Sequence, residues 1–169
     1  AEAGAGARVL FSAHGLPKKV IAAGDPYQWQ VERTAAAVAA ELPAGADWAV
    51  CYQSRVGPLE WIGPSTEQEL ARAGADKVPV VVVPIAFVSE HSETLVELDI
   101  EYRAEANKLG IPGYHRVPAV GTQPAFIDGL ARLVQAARAG ETGGTYGGAA
   151  GARLCPADRS GCACREAAR

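Results

Sequence analysis

A histidine stands just past the first apolar run of the chain. Val9-Leu10-Phe11 reads as a buried strand, Ser12 to Pro17 is polar, and His14 lies at that change. Neutral imidazole binds divalent first-row metals well and accepts a proton near neutral pH. A lone histidine is more often structural, but a place at the carboxyl end of a strand favours function. A second candidate set lies in the run HSETLVELDIEY, where Glu93, Glu97 and Glu101 recur every four residues and line one stripe of a helix. Like charges at that spacing repel, and from Glu90 to Tyr102 no lysine or arginine intervenes. Two readings follow. One is a solvated acidic face; the other is a ladder of carboxylates that passes a cation or protons inward, oxygen ligands being suited to a partly hydrated metal. His91 and Glu93, at the top of that helix, would share an edge with His14. Imidazole facing carboxylate suits the exchange of a metal for protons, because one group can release a metal while the other accepts a proton.

Aromatic residues could wall a flat, largely apolar ligand: Tyr27, Tyr52, Trp61 and Phe87 fall in or near the loops after strands. Trp61 lies in a Gly/Pro-rich loop, where a core position is less natural, whereas Trp29 on its helix reads as core. The tail CPADRSGCAC places Cys155, Cys162 and Cys164 in a C-x6-C-x-C array. Thiolates this close suit an iron–sulfur cluster or zinc, both of which usually take four ligands. Cys51, or a cysteine elsewhere, would have to be the fourth; a tail of unligated thiols is the plain alternative.

These residues need elements to position them. The pattern predicts strands at Val9 to Phe11, Trp48 to Tyr52, Val78 to Ile85 and, more weakly, Tyr114 to Pro118. Helices are predicted from Pro26 to Leu42 with Asp25 as N-cap, about Ser65 to Ala73 with Ser65 as cap, about Glu90 to Leu109, and Pro124 to Ala139. The β-branched run at Val78 to Ile85 reads as a central strand covered on both faces. Strands alternating with helices predict an α/β fold, a doubly wound parallel four-stranded sheet flanked by helices. Ligands of such sheets bind beyond the carboxyl ends of the strands. That rule brings together Ser12 to Gly15, Gln53 to Gly57 and Phe87 to His91. Residues 1–139 form the α/β domain, 140–151 a Gly-rich linker, and 152–169 a cysteine-containing tail.

Composition excludes several classes. With 169 residues, 49% hydrophobic and 21% charged, the chain is one globular domain in size. A net charge of −3 argues against a nucleic-acid surface. No apolar stretch reaches the ~18 residues of a membrane span, and the start lacks a signal-peptide pattern. Three of the four cysteines fall in the last fifteen residues, which favours a metal site in a reducing compartment over a spread disulfide framework. The absence of methionine and the early first strand suggest a chain cut from a longer one.

Three segments, in order, resemble the ferrochelatase family. LFSAHGLPKKVIAAGDPY is similar to its SAH-x-LP segment followed by GDPY, YQSRVGPLEWIGPST to its QS-x-VGP-x-W-x-GP-x-T segment, and PIAFVSEHSETLVELDIEY to its PI-x-F-x-S-x-H-x-ETL-x-ELDIEY segment. The resemblance covers residues 8 to about 138.

The resemblance implies a chelatase-like fold of two similar domains with the porphyrin cleft between them, this chain being the carboxy-terminal one and the amino-terminal domain missing. It implies a lyase that inserts Fe2+, its substrate metal, into protoporphyrin IX to form haem without an organic cofactor, releasing two protons. His14 and Glu93 would be the central catalytic and metal-handling pair, with His91 and Glu90 in the network beside them. Glu97 and Glu101 would form the metal path, and Tyr27, Trp61 and Ser54 would bind the porphyrin. Cys155, Cys162 and Cys164 resemble the [2Fe–2S] ligands of cluster-bearing members, whose animal representatives take the fourth ligand from the amino-terminal half. A cytoplasmic location, peripheral membrane contact through the missing half, and a homodimer complete these expectations, and half an active site is expected in this chain. Two rival readings are a related chelatase using another tetrapyrrole or metal, and a non-catalytic haem or iron–sulfur binding module.

Overall fold

A computed structural model of the chain describes residues 6–140 and 154–163. Four strands form one parallel sheet: β1 (Arg8–His14), β2 (Trp48–Gln53), β3 (Val80–Pro84) and β4 (Tyr114–Arg116), in the order β2-β1-β3-β4. The connections put helices on both faces. Helices α1 (Lys18–Ala22) and α2 (Tyr27–Ala39) join β1 to β2; α3 (Thr66–Asp76) joins β2 to β3; a π-helix (Glu93–Glu101) running into α4 (Tyr102–Lys108) joins β3 to β4. Helix α5 (Pro124–Arg138) follows β4. This is the predicted doubly wound α/β sheet. The strand order makes the gap between β1 and β3 the point where the winding reverses, the usual ligand crevice of such sheets.

Each face carries its own core. On one, Leu10, Cys51, Val80 and Val82 of the strands pack with Leu70 and Ala73 of α3, Leu98 of the π-helix, and Tyr102 and Ala106 of α4. On the other, Ala13 and Tyr52 pack with Ile21 of α1, Val31 of α2 and Ile62. Alternation along β2 explains the split, since Cys51 and Tyr52 are successive residues and must face opposite ways.

The local signals mostly act as the sequence suggests. The N-cap of α2 is Pro26 rather than Asp25, although the Asp25 carboxylate accepts the Tyr27 N–H at 2.8 Å from one residue further out. Ser65 and Gln68 form a reciprocal capping box on α3. Helix α2 stops at Ala39 rather than Leu42, and its expected apolar Val38 is exposed. Trp29, expected in the core, is only partly buried.

Four features differ from the sequence reading. The strand covered on both faces is β1, where Leu10 through Ala13 are all buried; in β3 burial alternates, so Val81 and Val83 are only half covered. The short helix α1 was not expected, because its single buried residue, Ile21, leaves no period to read. The predicted helix from Glu90 to Leu109 is instead a loop, a nine-residue π-helix and a shorter α-helix. Helix α5 buries none of its residues, and Ile127, Leu130, Leu133 and Val134 lie exposed.

Beyond residue 140, residues 141–153, most of the predicted linker, lie outside the described residues, as does Cys164. The described tail, 154–163, returns to the domain at the α1–α2 turn. There the Gly161 N–H donates to the Gly24 carbonyl at 2.9 Å, and Gln30 Nε2 lies 3.9 Å from Cys155 Sγ. Among the described residues no helix is long and apolar enough to cross a membrane.

Candidate active site

His14 is the last residue of β1, and its ring is oriented by the chain next to it. Nδ1 lies 2.6 Å from the Gly15 carbonyl oxygen, which only accepts, so Nδ1 carries the donated hydrogen. In the neutral ring this leaves Nε2 as the nitrogen with a free lone pair, and Nε2 points at Glu93, 3.6 Å from Oε1. That distance exceeds a direct hydrogen bond, so the two groups face each other across a gap that a third atom or a proton carrier can bridge. The side chains are 38% and 39% exposed, so the pair is open to a ligand on one side.

Glu93 begins the π-helix and stands between two imidazoles. Its other oxygen, Oε2, is 3.9 Å from His91 Nδ1. His91 Nδ1 itself accepts the Glu93 backbone N–H at 3.2 Å, which leaves Nε2 as the protonated nitrogen of the neutral ring. The His91 ring rests against Phe87, with centroids 5.0 Å apart. The Thr94 hydroxyl is within 3.0 Å of both the N–H and the carbonyl of His91 and tightens the turn.

Two predicted aromatics border this pair. The Tyr27 hydroxyl donates to the His14 carbonyl at 3.0 Å. Burial and then the charge of Glu93 push its phenol above the ordinary tyrosine range, which places Tyr27 in the field of that carboxylate. Trp61 is bridged to Pro17, and its ring lies against Gly15; its buried indole N–H has no partner among the described residues.

The acidic stripe survives the change of helix type. Glu93, Glu97 and Glu101, with Ser54, Ser92 and Val96, line an open cleft of about 360 Å³. Glu97 is held by four donors: the Ser54 N–H at 2.7 Å, the Ser54 hydroxyl, Gln53 Nε2 at 3.0 Å and the Tyr102 hydroxyl at 3.0 Å. Ser54 has a left-handed φ of 58°, uncommon for serine, and that turn aims both its donors at Glu97. Its hydroxyl is therefore engaged by the stripe. Glu101 stands exposed at the outer end.

Glu90, expected beside His91 in the same network, is linked to it through Thr94 and is also anchored to the end of β4. It accepts Arg116 Nη1 at 2.7 Å and the Ala119 N–H at 2.9 Å. Burial alone would raise its pKa, but hydrogen bonds from Thr94, Arg116 and Ala119, with the Arg116 charge, hold it down at about 2. A carboxylate fixed in that way ties the loop after β3 to the end of β4 and is a poor proton carrier. Arg116 also pairs with Asp99 on the π-helix, so one half-buried arginine ties the loop before that helix to the helix itself. No signal in the sequence pointed to Arg116.

Among the described cysteines, Cys51 lies apart from the two of the tail. Cys155 and Cys162 are buried in the docked tail. Cys51 lies in the core on the opposite sheet face, and burial pushes its thiol up to about 12. It is therefore removed as the fourth ligand. Among the described residues no three His, Cys, Asp or Glu side chains are arranged to hold a metal ion.

Comparison with known proteins agrees with the geometry. A family model described as ferrochelatase matches residues 1–138. The chain is 62% identical over 161 residues to a ferrochelatase of Caulobacter vibrioides, covering 95% of this chain and 46% of that protein. It is 55% identical over 159 residues to one of Phenylobacterium zucineum, covering 94% and 45%, and 58% identical over 127 residues to one of Wolbachia pipientis, covering 75% and 39%. The chain thus spans less than half the length of these relatives. A parallel sheet that brings His14 and Glu93 to its winding reversal, inside the stretch the family model matches, leaves one assignment: the chain belongs to the ferrochelatase family.

Proposed function

We propose that a protein of full family length carrying this chain inserts Fe2+ into protoporphyrin IX, a lyase reaction of haem synthesis. The macrocycle gives up two pyrrole N–H protons and takes one divalent ion, so charge balances. The observation that carries this reading is the His14 Nε2 to Glu93 Oε1 gap of 3.6 Å, with Nδ1 already committed to Gly15. A free imidazole lone pair and a carboxylate on either side of one gap can accept the departing protons and hold the metal loosely enough to release it. His91, which fixes the turn at Glu93, completes the catalytic group. Glu97 and Glu101 carry the metal along the cleft. Tyr27, Trp61 and Ser54 form the porphyrin side.

Only part of a porphyrin pocket is built by these residues, and the chain spans 46% of its Caulobacter relative. A second α/β domain facing the open side of the cleft would supply the rest, and the exposed apolar side of α5 is the surface it would cover. A cytoplasmic enzyme, in contact with membrane through that domain and paired as a homodimer, is the corresponding cellular picture. A [2Fe–2S] cluster on Cys155, Cys162 and Cys164 belongs to this proposal, argued from their C-x6-C-x-C spacing; a visible and EPR spectrum of anaerobically purified protein decides between it and zinc.

The test of the central reading is iron incorporation by His14→Ala and Glu93→Gln in a protein of full family length. Each is expected to lower turnover by roughly a hundredfold or more, the scale of positioned acid–base groups. Near-parental turnover in both overturns the assignment.

A further inference from the structure

Gln53 is fully buried, and every polar atom of its side chain is engaged. Its Oε1 accepts the Ser12 hydroxyl at 2.8 Å. Its Nε2 donates to the Glu93 carbonyl at 2.7 Å and to Glu97 Oε2 at 3.0 Å. A primary amide has two N–H donors, so both are used. Turning the amide over would put its oxygen against a carbonyl and a carboxylate, and its NH2 against Ser12; one orientation is therefore strongly preferred.

The main chain of the same residue acts on the other half of the pair. The Gln53 carbonyl accepts the Gly15 N–H at 2.8 Å. Gly15 in turn offers its own carbonyl to His14 Nδ1. One residue at the end of β2 thus holds the turn that aims His14 and, through its side chain, the first residue of the π-helix that carries Glu93. Behind it, Ser12 is 3.1 Å from the Thr66 hydroxyl at the start of α3, so the amide is braced from the core.

We infer that Gln53 is a positioning residue that sets the separation of His14 and Glu93 by holding the Gly15 turn with its carbonyl and the π-helix with its amide. Gln53 need touch neither metal nor porphyrin. The alternative is that the amide merely satisfies buried groups, and then its loss would cost stability without moving the site. The inference deepens the proposed function and rests on it for the turnover readout only.

The variants are Gln53→Met, which keeps length and removes both donors, and Ser12→Ala, which removes the brace but leaves the amide. Both are studied in a protein of full family length, well below the unfolding transition. Gln53→Met is expected to lower kcat for metal insertion by roughly ten- to a hundredfold, the scale of a small misplacement of reacting groups. The KM for porphyrin should stay within about twofold, because no porphyrin-side residue is altered. Ser12→Ala should act in the same direction more weakly, and the double variant should be less than additive because both changes act on one hydrogen-bonded chain. Independent of turnover, amide hydrogen exchange across Glu93 to Glu101 should speed up in Gln53→Met while exchange in β1 and β3 does not.

Unchanged exchange in the π-helix together with parental kcat overturns the inference and leaves the function proposal standing. Faster exchange in Gln53→Met, when the parent protein itself inserts no metal, supports the positioning role and overturns the function instead. Should Gln53→Met fail to fold, Ser12→Ala carries the same two readouts, and parental values in both overturn the inference.

Discussion

His14 Nε2 and Glu93 Oε1 face each other at 3.6 Å, although the two residues come from the end of β1 and the start of the π-helix. Neither is held by the other. His14 is aimed by the Gly15 carbonyl, and Glu93 by its place on a helix bonded to Gln53. The pair is therefore sensitive to changes that touch neither member.

Gly15 is the nearest such change. A Cβ there would stand 3.0 Å from the Gln53 carbonyl oxygen, 3.0 Å from Arg55 Cγ and 3.3 Å from the Trp61 ring. Arg55 can swing away, but the carbonyl belongs to β2 and is bonded to Gly15 itself. Gly15→Ala is expected to cost about 1–3 kcal/mol as an overpacking change. It should also lower metal-insertion turnover by more than its stability loss explains. Denaturant unfolding and turnover at a temperature where the variant is fully folded check the two parts separately.

Glu90 predicts an acid limb in stability. Its ordinary value of 4.5 falls to about 2 in the folded chain. The folded state thus binds this proton less readily than the unfolded state, so the stabilisation is fully present above about pH 4.5. It is lost as pH falls from there towards 2. In Arg116→Gln the guanidinium hydrogen bond and its charge disappear while the Thr94 and Ala119 hydrogen bonds remain, so the loss of Tm over that window should be smaller than in the parent but not abolished. Thermal unfolding between pH 2 and 6 measures it, and identical acid limbs in both proteins would sink the assignment.

The tail depends on a close approach at Gly24. That residue has a φ of 97°, and a Cβ would lie 2.3 Å from Ser160 Oγ and 2.9 Å from the Ser160 nitrogen. Gly24→Val should therefore push residues 154–163 off the α1–α2 turn. Cys155 and Cys162 should then react faster with a thiol reagent in metal-free protein. Cys51, sealed in the core with its thiol raised to about 12, should stay unreactive and serve as the internal control. Mass spectrometry of the labelled peptides distinguishes the three.

Helix α5 gives a prediction that depends on length. In this chain alone, Leu130→Asp with Leu133→Asp alters only exposed positions and should change stability by less than about 1 kcal/mol. In a protein of full family length the same pair should destabilise by about 1.5–3 kcal/mol per leucine, the usual value of a buried leucine side chain. Equal effects in the two contexts would contradict a second domain over α5.

Much of this molecule was legible in the order of its residues. Alternating apolar runs, Ser65 and Asp25 before helices, and the proline at Pro124 specify strands and helices through local rules, so the parallel α/β sheet follows from them. The polar residues at the ends of β1, β2 and β3 had to meet on one edge, because parallel strands share that end. Side-chain partners were not legible, because they depend on where distant elements cross. Glu90 meets Arg116 across 26 positions of chain, and Gln53 meets Glu93 across 40. The π-helix was hidden as well, since the four-residue spacing of its glutamates suits an α-helix equally. Which imidazole nitrogen faces Glu93, and which face of the sheet takes Cys51, were decided by packing and hydrogen bonding alone. Such choices arise only when strands, turns and helices press their surfaces together in three dimensions.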